Sequence, residues 1–80
     1  MSSMSEKHKT VGKMIENSQK MILEDEVKID YYQFIATIET NEQAKAQWLV
    51  EADKIKVNKK GIEDALDKLI QFSNHIESLY

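Results

Sequence analysis

An 80-residue chain makes one small domain at most, in the size range where a single hydrophobic core is only marginally sufficient. Hydrophobic residues make up 41% of the chain, which excludes the composition typical of disordered segments. The net charge is −3 and all eleven cations are lysine, so the chain lacks the arginine side chains that favour bidentate contacts to phosphates and bases. This composition disfavours nucleic acid as a partner.

The residue types that are missing narrow the class of protein further. Proline and cysteine are absent and glycine occurs twice, which predicts an all-α fold with no disulfide and no thiolate metal site. Because so small a core gains from association, we expect the partner to be another protein or a second copy of the chain in a homodimer. No apolar run resembles a signal peptide or a membrane span, so we expect a cytoplasmic protein. Lysine- and isoleucine-rich usage suits an AT-rich bacterial or phage genome.

The first predicted helix covers about residues 8–23 and follows a flexible, polar segment at residues 1–8. Its apolar residues recur three or four positions apart, which is typical of one helical face. They are Val11, Met14, Ile15, Met21 and Ile22. The acidic run Glu24–Glu26 comes next, where a helix C-terminus would favour cations. We therefore predict a connection at residues 24–29.

The second predicted helix begins at Asp30. Gln33 stands three residues later, as in a looser form of the capping box, and Ile29 and Phe34 are spaced as a hydrophobic staple around the cap. Residues 40–43 allow either a new helix start or a bend. Because the seven-residue register passes through them without a slip, and they contain no glycine or proline, we favour one helix over residues 30–57.

The third predicted helix covers residues 62–80. Apolar residues seven apart are typical of helices packed along one another, and five occur in succession from the second predicted helix into the third. They are Trp48, Ile55, Ile62, Leu69 and Ile76. Asn58–Gly61 contains residues that tolerate left-handed backbone, which predicts a turn, with an unbroken helix in a dimeric coiled coil as the alternative. The predicted fold is an antiparallel helical hairpin or three-helix bundle with coiled-coil-like packing, forming a single helical domain at residues 9–80.

Charge is distributed in alternating blocks along the chain. Residues 1–23 hold four lysines and two acids, and residues 24–42 hold one lysine and six acids. Residues 43–61 hold five lysines and two acids, and residues 62–80 hold one lysine and four acids. This alternation indicates antiparallel helices whose neighbouring segments differ in sign, which favours correct pairing more than stability.

Residues suited to chemistry are sparse. His8 and His75 have no neighbours at the spacing of a metal site, and the acidic run Glu24–Glu26 lacks the turn glycine of a calcium-binding loop. Neither glycine belongs to a phosphate-binding loop. We therefore predict no catalytic, cofactor-binding or metal site, and a protein that is not an enzyme.

The aromatic residues supply the candidate binding site. Phe34 and Phe72 are predicted to fill the core, but Trp48 is too large for so small a domain to cover fully. Tyr31 and Tyr32 point about 100° apart on a helix, so at least one should lie at the edge of the core. Exposed aromatic and aliphatic neighbours are typical of interface anchors. The predicted partner-binding residues are Tyr31, Tyr32, Trp48 and Leu49.

These observations lead to a hypothesis with two alternatives. The leading one is a small non-enzymatic protein–protein interaction module, such as an adaptor, chaperone subunit or inhibitor, that acts through a helix face. The first alternative is a nucleic-acid-associated regulator that uses the basic cluster Lys54–Lys60. The second is association with a membrane surface through the amphipathic N-terminal helix at residues 7–23.

Overall fold

The chain folds into two long α-helices that lie antiparallel to each other. The computed structural model describes residues 4–79, with helix α1 at Met4–Ile38 and helix α2 at Glu42–Glu77. A short turn at residues 39–41 joins them, and the hairpin measures 59 × 17 × 15 Å. The prediction of an all-helical hairpin is confirmed, whereas the three-helix bundle is wrong.

The two helices meet along a seam in which buried or half-buried residues alternate three and four positions apart. This is the spacing of a two-stranded coiled coil. The seam of α1 comprises His8, Val11, Ile15, Ser18, Ile22, Asp25, Ile29, Tyr32 and Ala36. The seam of α2 comprises Trp48, Ala52, Ile55, Lys59, Ile62, Leu66, Leu69, Ser73 and Ile76. Ala36 and Ala52 are the most completely buried residues of the seam.

The predicted connection at residues 24–29 is wrong, because α1 runs through it. Asp25 points into the seam, where its Oδ2 accepts a hydrogen bond of 2.8 Å from Asn58 Nδ2. Glu26 forms an ion pair of 3.4 Å with Lys59. Two of the three acids thus find partners on α2, and a helix interior carries no terminal dipole for them to oppose.

The helix start predicted at Asp30 is also wrong. Asp30 is an exposed residue inside α1, and of the proposed staple pair Ile29 is buried while Phe34 is exposed. The true start lies at Asn41, which has extended backbone dihedrals (φ −84°, ψ 121°). Its Oδ1 accepts hydrogen bonds from the backbone N–H groups of Gln43 at 2.9 Å and Ala44 at 3.0 Å. Residues 30–57 are therefore two helices and not one.

The turn predicted at Asn58–Gly61 lies in the interior of α2. Gly61 has no positive φ, and a Cβ atom added to it would meet nothing within 4 Å. Around it, Asn58 bonds Asp25 across the seam and Lys60 forms an ion pair of 2.9 Å with Asp64 one turn ahead. The side chains on both sides of Gly61 therefore find polar partners while the backbone stays helical.

The ends of the hairpin bear on two further predictions. Residues 1–3 and Tyr80 lie outside the described residues, so the flexible segment predicted at residues 1–8 falls partly outside them. Met4–His8 form the first turns of α1, and His8 Nε2 lies 3.3 Å from Glu77 Oε1 on α2. Neither described helix is apolar enough over membrane-spanning length to cross a bilayer.

Candidate partner-binding surface

Three of the four predicted partner-binding residues form an aromatic cluster beside the turn. The ring centroids of Tyr31 and Tyr32 lie 5.8 Å apart, and those of Tyr32 and Trp48 lie 5.5 Å apart, both pairs with tilted planes. Tyr32 and Trp48 are half-buried in the seam, whereas Tyr31 is exposed. Leu49 lies on α2 next to Trp48 and is also exposed. The cluster therefore links the seam to the outer surface of α1.

Tyr31 belongs to a row of exposed apolar residues along the outside of α1, which we call the outer stripe. Its residues stand four, four, three and four positions apart, so they share one face of the helix. They are Leu23, Val27, Tyr31, Phe34 and Ile38, and each is 57–62% exposed. Val27 and Phe34 each precede a buried seam position by two residues, about 200° around the helix. The outer stripe thus lies on the side of α1 that faces away from α2.

The outer stripe is confined to the second half of α1. Lys13, Lys20, Val27 and Phe34 stand seven apart and so occupy equivalent outward positions, two of them basic and two apolar. A hairpin that is monomeric and has no partner should carry polar residues along this whole face. The outward face of α1 therefore changes from polar to apolar at Leu23, which sets the second half of the helix apart as a distinct surface.

Sequence reasoning misses most of the outer stripe. Leu23 and Val27 fall at or inside the predicted connection, and Phe34 is assigned to the core. The prediction that Phe34 and Phe72 fill the core is wrong, because they are 59% and 51% exposed. The stripe can be recognised only when residues 22–36 are read as one continuous seam. The apolar residues outside that seam then form a second row on the opposite side of the helix.

The electrostatic surroundings of the outer stripe are acidic. Among the outward positions between Leu23 and Ile38, the charged residues are Glu24 and Asp30, on opposite sides of the stripe. Neither forms an ion pair with any residue in the described part of the chain. Asp30 shares a shallow groove with Lys56 and Lys60, but these lysines pair with Asp53 and Asp64 instead. The C-terminus of α1, which has no basic residue in its last turn, adds partial negative charge.

Lys28 is the single lysine of residues 24–42. It lies at the margin of the outer stripe, where it lines a shallow groove with Leu23, Glu24 and Val27. Of the six acids in the same segment, Asp25 lies in the seam and Glu26 pairs with Lys59, so Glu24 and Asp30 are the acids that flank the stripe, and Lys28 stands beside Glu24.

The basic cluster Lys54–Lys60 is largely neutralised within the molecule. Its lysines form ion pairs with carboxylates at 2.9–3.6 Å. The pairs are Lys54–Glu51, Lys56–Asp53, Lys59–Glu26 and Lys60–Asp64. The hydrogen bond from Lys60 to Asp64 raises the pKa of that lysine above its ordinary value. The pairing reduces the positive field that a phosphate backbone would meet.

The amphipathic N-terminal segment is likewise engaged, and the two histidines lie at the open end of the hairpin. The apolar face of residues 7–23 packs in the seam through Val11, Ile15 and Ile22. His8 faces Glu77, while His75 lines an apolar groove of about 520 Å³ at the open end of the hairpin. Among residues 4–79, no cluster of three side chains is arranged to hold a metal ion.

Comparisons of this chain with protein-family models, with curated proteins and with solved structures found no match. The assignment of function therefore depends on the geometry and chemistry of the hairpin surface.

Proposed function

We propose that this chain is a non-enzymatic protein-binding module that holds its partner on the outer stripe of α1. The observation that carries the proposal is the row of five apolar residues, each more than half exposed, opposite the seam. Five side chains of this kind present on the order of 500 Å² of apolar surface, near the upper end of what monomeric proteins expose. Patches of that size are typical of interaction sites.

The aromatic cluster supports this role by fixing the middle of the surface. Tyr31 projects from the outer stripe, and its ring rests beside Tyr32, which contacts Trp48 of α2. A side chain held in this way loses little conformational entropy when a partner covers it. Tyr31 is thus the predicted anchor, with Tyr32 and Trp48 as its support and Leu49 at the margin.

The nucleic-acid and membrane alternatives have weaker support. The lysines of the basic cluster pair with carboxylates, and the apolar face of residues 7–23 packs against α2. Each alternative requires existing contacts to be broken, whereas the outer stripe is already accessible.

Site-specific photo-crosslinking in the cells that make the protein tests the proposal. A photoreactive residue in place of Phe34 should form adducts of discrete mass with a partner protein. The matched control carries the same residue in place of Lys13, which occupies an equivalent outward position three heptads earlier. Equal adduct patterns at both positions, or no adduct at Phe34, would contradict the proposal.

A further inference from the structure

We infer that the partner segment on the outer stripe is an amphipathic α-helix whose apolar face is flanked by lysine or arginine residues. The inference rests on the proposed function and specifies the chemistry of the partner. Two observations carry it, namely the shape of the stripe and the signs of the charges beside it.

The shape of the outer stripe suits a helix. The stripe runs along one face of α1 and spans 15 residue steps, or about 22 Å, which equals four turns of a partner helix. Its residues lie on the surface of a helix whose interior N–H and C=O groups bond within α1, so the surface offers no edge to an extended strand. Side chains spaced three and four apart form ridges that interlock with those of a second helix.

The charges specify the flanks of that helix. Glu24 on one side and Asp30 on the other have no ion-pair partner among the described residues, and both would border an occupant of the stripe. Lys28, beside Glu24, is the one cation that segment 24–42 places at this margin. The C-terminus of α1 and Glu42 at the start of α2 add negative potential at the turn. A helix with cations on both flanks meets these groups, whereas an acidic one is repelled.

The same charges argue against a second copy of this chain. Antiparallel pairing of two outer stripes about Tyr31 brings the two Asp30 side chains together. Parallel pairing aligns the acidic flanks of one stripe with those of the other. Each arrangement sets unpaired carboxylates against carboxylates, which opposes docking.

Titration of the full-length chain with two synthetic peptides tests the inference. Both peptides are helices of about 18 residues with leucines at i, i+4, i+7 and i+11, one with lysines on both flanks and its twin with glutamates there. Backbone NMR shifts locate binding and calorimetry measures affinity. The lysine peptide should bind at Leu23, Val27, Tyr31, Phe34 and Ile38, roughly tenfold or more tighter than its twin.

Variants of the chain separate the apolar and the electrostatic contributions. Phe34→Ser should weaken binding of the lysine peptide roughly tenfold, with Val27→Ser as a second variant if the first does not fold. Val57→Ser is the matched control, because Val57 is 75% exposed on α2. Asp30→Lys should weaken the lysine peptide and strengthen its twin.

Failure of the inference is distinguishable from failure of the proposed function. If both peptides bind at the outer stripe with equal affinity, or if neither binds while Phe34 crosslinks to a partner protein, the basic helix is overturned and the proposed function stands. Self-association that Phe34→Ser abolishes would also overturn the basic helix, in favour of a second copy. If neither peptide binds and Phe34 yields no adduct, both proposals fail.

Discussion

Among residues 4–79, Asp25 is the one charged residue that is buried, and it lies in the seam between the helices. Its hydrogen bond from Asn58 joins positions 33 residues apart in the chain. A polar pair in an otherwise apolar seam favours one register, because a shift along the seam would leave the carboxylate buried without a partner. Asp25 and Asn58 therefore contribute specificity of pairing as well as stability.

A double-mutant cycle measures this contact. Alanine at either position removes the hydrogen bond but improves helix propensity, so each single change mixes two effects. The cycle of Asp25→Ala, Asn58→Ala and the double variant cancels the propensity changes and should give a coupling free energy of about 1 kcal/mol. Urea denaturation followed by circular dichroism supplies the values. Strict additivity would show that the bond contributes nothing.

The residues of the candidate site can be predicted only in part. Composition and helical direction identify Tyr31, Tyr32 and Trp48, and the structure brings their rings together. Leu23 and Val27 escape prediction because the facing of a residue depends on where its helix ends. When one helix boundary is predicted wrongly, a whole row of side chains is assigned to the core although it lies on the surface, or the reverse.

At the scale of the helices, the turn depends on Asn41. Replacing Asn41 by alanine should lower the free energy of unfolding by about 1 kcal/mol, because two backbone N–H groups lose their acceptor. Asp30→Ala is the informative comparison, since Asp30 stands in an equally favourable local pattern inside α1. That change should stabilise the protein by a few tenths of a kcal/mol, through helix propensity alone. Chemical denaturation of both variants measures these changes. If Asp30→Ala lowers the free energy of unfolding by more than Asn41→Ala does, the observed helix bounds are contradicted.

Gly61 provides an independent check on the continuity of α2. Because it is helical, with open space where the methyl group of an alanine would lie, Gly61→Ala should raise the free energy of unfolding by about 0.5–1 kcal/mol. For a chain of this size that corresponds to about 3–6 °C in the melting temperature. Thermal melts of Gly61→Ala and of Gly12→Ala, which has equally open surroundings in α1, should show similar gains. A turn at Asn58–Gly61 would instead make only Gly61→Ala destabilising.

The helix boundaries illustrate why local patterns are insufficient. Asp30 and Asn41 are both acceptable N-cap residues, and the chain uses the one that leaves two helices of nearly equal length. Two helices of nearly equal length can pair along a seam that runs through both of them. The residues of the ladder from Trp48 to Ile76 line the seam, as their spacing predicts, but they lie on one helix and not on the two that the turn predicted at Asn58–Gly61 would give.

For the whole molecule, the charge blocks agree with the hairpin. The turn at residues 39–41 places the acidic block 24–42 beside the basic block 43–61, and the basic block 1–23 beside the acidic block 62–80. The ion pair between Glu26 and Lys59 joins the first two blocks, and the contact of His8 with Glu77 joins the other two. The sequence thus predicts antiparallel pairing of segments with opposite sign, even though it misplaces the turn.

Small-angle X-ray scattering distinguishes this architecture from the alternatives that the sequence leaves open. The hairpin has a radius of gyration of 18.1 Å over its Cα atoms. A compact three-helix bundle of the same length would give about 12 Å, and an unbroken helix over residues 30–80 would extend for about 75 Å. We expect a measured value near 18 Å, with forward scattering that corresponds to one chain, because the acidic flanks of the outer stripe oppose self-pairing. A value of about 12 Å would refute the two-helix fold, and a mass of two chains would refute the electrostatic argument against a second copy.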